Sequence, residues 1–260
     1  MMQQTQVNES TTQIPAIQVE RKCGFYEKYM KRLLDIVCSL ITIIGFCWLY
    51  IIIAVLVRVK LGSPVLFKQP RPGKIDPKTG CEEIFYMYKF RSMSDERDEN
   101  GNLLADEVRL GKFGSALRES SMDELLEAFN ILKGDMSIVG PRPQLVRDMV
   151  FMTDRQRVRH TVKPGVTGLA QVKGRNAITW DEKLNWDLKY IEKVSFLGDV
   201  KILFETVAAV FNRTGITDGE NVTALDYGDA LFKAGKVSRE KYDALQAHAR
   251  NLIAGHERKA

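Results

Sequence analysis

One run limits this chain more than any other: KRLLDIVCSLITIIGFCWLYIIIAVLVRVK, Lys31 to Lys60. No charge interrupts it from Ile36 to Val57, about 22 residues, which as a helix cover roughly 33 Å and match a bilayer's hydrocarbon core. Inside a small soluble domain such a helix would be apolar on every face, which only a deep core accommodates. The flanks constrain its orientation. Lys28, Lys31 and Arg32 precede the run, and Arg58, Lys60, Lys68 and Arg71 follow it. Positive charge collects on the cytoplasmic side of a membrane, so two positive ends point to a re-entrant hairpin that dips into one leaflet and returns. Asp35 is expected to pair with Arg32 or to snorkel toward the interface. The run holds no proline, and Gly45 and Thr42 are the residues able to soften it.

The rest of the chain divides around that segment. Residues 1–22 are polar, Gln/Thr-rich and aperiodic, which reads as a disordered leader without the features of a signal peptide. Residues 23–60 form the membrane helix, 61–212 a cytosolic catalytic domain, and 213–260 a C-terminal helical extension. The expected fold class is α+β and helix-dominated, the membrane hairpin leading into a small α/β unit with surface amphipathic helices. GSPVLFKQPRPG reads as a short strand closed by its Pro/Gly turn, and EEIFYMYKF as a second strand. A helix is expected at about 94–99. Ser121 and Glu124 have capping-box spacing ahead of DELLEAFNILKG, with Leu125, Leu126, Phe129 and Leu132 at helical spacing and Gly134 as the stop. VKPGVTGLAQVKGRN reads as loop, strand and loop. Residues 181–193 and 199–211 read as helices, the second grouping Ile202, Leu203, Val207, Val210 and Phe211 on one face that suits either a membrane surface or the core. In the extension, Ser238 is the expected N-cap and Gly255 the stop of a helix striped with Tyr242, Leu245, Ala249 and Leu252, placed to dock on the core, on a partner or on a second copy.

The titratable inventory narrows the chemistry. Four cysteines stand at 23, 38, 47 and 81 with no CxxC spacing, and there are only three histidines, so a zinc site or a disulfide framework is not expected. Acid–base or nucleophilic work therefore falls to carboxylates. YKFRSMSDERDENG, Tyr88 to Gly101, places Asp95 and Glu96 side by side behind Lys89 and Arg91. Ser92 and Asp95 also have the spacing of a plain helix cap, and that bland reading stands beside the chemical one. GPRPQ holds Arg142 between two prolines, KGRN sets Arg175 after a glycine, and Arg118 and Arg159 add to the count. Guanidiniums held by stiff backbone suit phosphate oxygens, and a formal net charge of +5 fits a phosphate-rich partner. A carboxylate among them can hold Mg²⁺ against substrate phosphates or attack phosphorus itself. No P-loop or GxGxxG is present.

KFRSMSDERDENG, SMDELLEAFNILKGDMSIVGPRP, RHTVKPGVTGLAQVKGRNAITW and KYIEKVSFLGDVKILFET, in unbroken order from about Tyr26 to Phe211, together resemble the small monotopic phosphoglycosyl transferases of bacteria. The resemblance is nearest to the type that transfers N,N′-diacetylbacillosamine 1-phosphate to undecaprenyl phosphate. It implies a ping-pong reaction at the cytoplasmic face of the bacterial inner membrane. A sugar 1-phosphate leaves a UDP-sugar for undecaprenyl phosphate, UMP is released, and Mg²⁺ is required. It implies Asp95 as the nucleophile that carries the phosphosugar and Glu96 as its partner in placing Mg²⁺ and phosphate. Phosphate or nucleotide contacts are expected of Arg118, Arg142 and Arg175, and more weakly of Lys89, Arg91 and Arg159. Partners implied are the UDP-sugar, undecaprenyl phosphate and the lipid bilayer, with self-association or pathway glycosyltransferases beside them and no nucleic acid. The chain departs from that family in carrying Cys47 and Trp48 where Ser-Pro commonly bends the membrane helix, and in the extension beyond residue 213. Two other readings stay open: a membrane glycosyltransferase that releases UDP, and a membrane-anchored basic scaffold.

Overall fold

A computed structural model describes residues 16–17, 21, 23–174, 178–211 and 225–258. The apolar run is two helices, α1 (Lys31–Gly45), preceded by a π-helical turn at Tyr26–Met30, and α2 (Cys47–Leu61). They meet at Phe46 with a bend of 63°. Phe46 leaves helical geometry at φ −106°, ψ 17°. Its N–H still closes α1 on the Thr42 carbonyl (3.0 Å), while its carbonyl accepts from Leu49 (2.9 Å) and Tyr50 (3.1 Å) to start α2. Thr42 Oγ1 also donates to the Cys38 carbonyl (2.9 Å), a side-chain bond that bends helices. The bend therefore forms without proline, directly after Gly45. Among the described residues no single helix is long and apolar enough to cross a membrane; the bent pair together satisfies that length and composition.

Asp35 does neither of the things expected of it. It is buried and accepts from Ser137 Oγ (3.0 Å) and the Ile138 N–H (2.9 Å). Arg32 instead donates to the carbonyls of Ile131 (2.5 Å) and Leu132 (2.8 Å), and Lys31 pairs with Asp199. A buried carboxylate needs donors more than it needs charge, and two are supplied by the strand that α1 lies against.

The strand β1 (Leu66–Ile75) pairs antiparallel with β2 (Glu82–Phe90). β1 is longer than the sequence reading allows, running through Pro70-Arg71-Pro72, and the turn lies further on at residues 76–81. In a two-stranded sheet each strand has one unpaired side. Two prolines two residues apart direct their nitrogens to the same side, so they cost no ladder bonds if that side is the open one. Residues 94–99 are not helical; they lie in the loop between β2 and α3 (Asp106–Glu119). Ser121 makes no capping box either. It adopts φ 55°, and a 3₁₀ turn (Met122–Leu126) leads into α4 (Glu127–Lys133), which Gly134 ends at φ 106°. Glu124 is drawn away from the cap by ion pairs to two basic side chains.

Beyond α4, β3 (Ser137–Val139) pairs in parallel with β4 (Gly165–Thr167), with the short helices α5 (Val146–Met149) and α6 (Asp154–Arg157) between them. The segment after β4, read as loop, is the helix α7 (Leu169–Gly174). α8 (Trp180–Glu192) has a full capping box between Thr179 and Glu182. α9 (Phe196–Phe211) buries Ile202 but leaves Leu203, Phe204 and Val207 exposed. The extension supplies α10 (Tyr227–Lys233) and α11 (Arg239–Glu257). Ser238 caps α11 as expected, whereas the helix passes through Gly255 rather than stopping there. Tyr227 and Ala249 are buried with Val146, Met149, Val150, Phe151 and Leu184, and Tyr242, Leu245 and Leu252 pack on that cluster. The extension is thus docked on the core.

Candidate active site

The candidate residues gather where β2 runs out. Arg91 is buried because its guanidinium serves backbone: it donates to the carbonyls of Leu61 (2.6 Å), Ser63 (2.7 Å) and Met93 (2.9 Å). Leu61 ends α2, so Arg91 caps the bent helix pair and satisfies carbonyls a helix end leaves open. The same guanidinium lies 3.3 Å from Asp95 Oδ2. Asp95 keeps 62% of its side chain exposed, and Glu96 is exposed beside it. The loop carrying them is held by backbone bonds from Leu104 N–H to the Glu96 carbonyl (3.0 Å) and from Ser94 N–H to Arg109 (2.8 Å). Arg109 Nε returns a bond to the Ser94 carbonyl (2.9 Å). The dyad therefore sits at no helix mouth; Arg91 and α3, rather than a helix dipole, set its place.

A buried ionic cluster lies beside it. Lys89 Nζ donates to Glu124 Oε1 (2.6 Å) and stands 3.2 Å from Glu127 Oε1. Arg142 donates to the same Glu124 oxygen (2.5 Å) while 38% of its side chain stays exposed. Burial pushes the Glu124 carboxyl up, but Arg142 and Lys89 outweigh it and hold it well below the carboxylate range. Glu127 goes the other way: burial first, then the charge of Glu124, raises it to about 7. Asp123 is also raised by burial, and feels Lys89, Arg118 and Arg142 together. Arg118 Nε donates to Ser92 Oγ (2.9 Å), linking this cluster to the residue after Arg91. Gly114 permits the approach: a Cβ there would collide with the Ser92 carbonyl oxygen.

The structure thus brings Lys89, Arg118 and Arg142 together around three carboxylates, with Arg91 holding Asp95. Arg159 is not on an open surface. It is 1% exposed, pairs with Asp187 (2.7 Å) and donates to the Arg142 carbonyl (2.6 Å). Both the charge and the geometry of its fork are engaged, so it supports Arg142 from below instead of facing phosphate. Arg175 lies outside the described residues. Sequence reasoning missed Glu127 and Gly114 and read Glu124 only as a cap; the signal that could have marked the glutamates is three acids, Asp123, Glu124 and Glu127, within five residues.

A divalent cation such as Mg²⁺ takes one or two carboxylates plus substrate phosphates rather than a full protein cage. Asp95 and Glu96, exposed and adjacent, fit that donor set. Among the described residues no group of three or more His, Cys, Asp or Glu side chains is arranged to hold a metal alone.

Comparison with known proteins identifies the family. Residues 26–213 match the bacterial sugar transferase family. The chain is 47% identical over 195 residues to an uncharacterized sugar transferase, EpsL, of Bacillus subtilis, covering 75% of this chain and 94% of that protein. It is 37% identical over 196 residues, 72% of this chain, to a UDP-N-acetylgalactosamine-undecaprenyl-phosphate N-acetylgalactosaminephosphotransferase of Aeromonas hydrophila. It is 36% identical over 225 residues, 80% of this chain, to a UDP-glucose:undecaprenyl-phosphate glucose-1-phosphate transferase of Xanthomonas campestris. The chain spans 45% of the length of each of these last two. With the whole site inside the matched region, the chain belongs to the bacterial sugar transferase family and is an enzyme.

Proposed function

We propose that this protein transfers a sugar 1-phosphate from a UDP-sugar to undecaprenyl phosphate, releasing UMP, as a first membrane step of glycan assembly. The observation that carries this reading is the Arg91 junction: one buried guanidinium joins the last carbonyls of the membrane hairpin to an exposed aspartate. A nucleophile fixed there stands at the bilayer surface, where a soluble donor and a lipid-borne phosphate meet. Both ends of the hairpin are held by the same unit, α1 through Asp35 and Arg32 and α2 through Arg91, which supports re-entry with the site on the cytoplasmic face.

In the first half-reaction an Asp95 carboxylate oxygen attacks the β-phosphorus of the UDP-sugar. The bond from that phosphorus to the bridging oxygen breaks, and UMP leaves with the electron pair. In the second, an oxygen of undecaprenyl phosphate attacks the same phosphorus, the bond to Asp95 breaks, and the free carboxylate returns. Arg91 orients Asp95, while Arg142 and Arg118 face the phosphates with their remaining donors. Mg²⁺ held by Asp95 and Glu96 would supply neutralising charge as the phosphoryl group passes between two anions. The relatives' names span N-acetylgalactosamine and glucose donors, and N,N′-diacetylbacillosamine is the further N-acetylated candidate.

The test is nucleotide release by the protein in nanodiscs with undecaprenyl phosphate, Mg²⁺ and a panel of these UDP-sugars. UMP should appear with one donor, and Asp95→Asn should lower its rate by about 10³-fold or more, the scale expected for a lost nucleophile. Release of UDP, or UMP release indifferent to Asp95, would refute the reading.

A further inference from the structure

At the other end of α4 from the ionic cluster, a cleft of about 610 Å³ opens between the β1–β2 hairpin and α11. Lys74 and Lys163 line it together with Phe85, Asn251, His256 and Gly134. A Cβ placed on Gly134 would lie 3.4 Å from both Lys163 Nζ and Arg32 Nη2. Two cations thus flank one point that glycine leaves open. The acids nearby are largely engaged. Glu82 accepts from Arg157 (2.7 Å) and meets His160 (3.0 Å), and Asp135 meets Lys133 (3.4 Å) and Asn130 (3.3 Å); Glu83 is exposed on the strand. Lys74 and Lys163 have no ion pair within 4 Å among the described residues. Burial, with Arg32 and then Lys74 close by, holds the Lys163 amine below the ordinary lysine range. Arg32 spends donors on the Ile131 and Leu132 carbonyls but, like the two lysines, has no carboxylate within 4 Å among the described residues, and cations gathered in this way are what a bound anion would relieve.

We propose that this cleft binds a phosphate-bearing ligand, its phosphoryl group between Lys74, Lys163 and Arg32 over Gly134 and its remainder against Phe85, Asn251 and His256. The His256 ring already lies 5.0 Å from that of Tyr86, tilted by 47°. Residues 251–256 lie beyond the family match, which ends at residue 213, so part of the site's lining comes from the extension. The site is separate from Asp95 and is independent of the transfer reaction.

Pyridoxal 5′-phosphate tests this directly, since it couples a phosphate to an amine-seeking aldehyde. The Lys163 amine adds to the aldehyde carbon, water leaves, and borohydride then reduces the imine, so that mass spectrometry reads the labelled lysine. The full chain carrying Asp95→Asn is used, in phosphatidylcholine nanodiscs, so that the transfer site is inactive. Lys163 should label several-fold faster than Lys201, which is 73% exposed, and Lys74→Gln should remove the advantage. Protection by soluble pyrophosphate would identify a soluble ligand, and protection only when phosphatidic acid replaces phosphatidylcholine would identify a lipid headgroup. Labelling of Lys163 no faster than Lys201, or protection by neither phosphate source, would overturn the proposal.

Discussion

Arg91 shows how one side chain joins two tasks. Four of its contacts are to carbonyls, those of Leu61, Ser63, Pro64 and Met93, and one is to Asp95, a planar fork that lysine cannot copy. Arg91→Lys is therefore expected to lower stability by about 2–3 kcal/mol, as buried carbonyls lose charge-assisted donors. It should also lower kcat more than KM, because Asp95, the proposed nucleophile, loses its orientation; equal losses in a neutral surface variant would refute this. Glu127 makes a different prediction. Its folded pKa, about 7, stands above the ordinary value of 4.5, so the folded state favours the protonated form. The stability it contributes is fully present below about pH 4.5 and is lost as pH rises through 7. Thermal unfolding of Glu127→Gln across that window should show a flatter pH dependence than the wild type. Glu124 has the opposite sign, its pKa being lowered, and contributes stability that is lost only in strong acid.

Elements carry the same logic at larger spacing. α3 is pressed against the strand end at Gly114, where any Cβ meets the Ser92 carbonyl. Gly114→Ala should cost roughly 1–3 kcal/mol, the range of an overpacked buried contact, and shift Ser92 and its bond from Arg118; circular dichroism melts and turnover together check it. Elements with strong local signals were legible in the sequence: α8 over residues 181–193, α4 from the Gly134 stop, β2 from its aromatic run. The loop at 94–99 was not, because its acids and serines carry cap chemistry that tertiary contacts to Arg91 and Arg109 override. The Ser121 cap failed for a related reason, since Glu124 has better partners in Lys89 and Arg142 than in a backbone N–H. β1 was foreshortened because proline marks a turn unless the strand has a free side, a property of the sheet and not of the strand. Of the candidate site, family motifs singled out the dyad and Arg142, whose roles stand as proposals; the burial of Arg159 was not legible, since no local pattern tells an open arginine from one paired with Asp187.

The whole molecule is bound together from both ends. α10 and α11 cover Val146, Met149, Phe151 and Leu184, and Tyr227 donates its N–H to Asp148 (2.8 Å). A chain truncated after residue 213 should lose several kcal/mol from the uncovered apolar surface, lowering the unfolding temperature by about 5–10 °C; an unchanged melting curve would show the extension to be an appendage. At the other end, the bent helices meet the catalytic unit through backbone caps rather than through a flexible linker. On the proposed reading, in which the bent pair rests in lipid, its depth and the height at which chemistry happens are therefore one variable, not two. A bilayer that is thicker or thinner would then not stretch the protein between anchor and site. It would raise or lower both, so the enzyme would sample phosphates in a fixed layer, and membrane thickness would act on it as a choice of which headgroups come within reach.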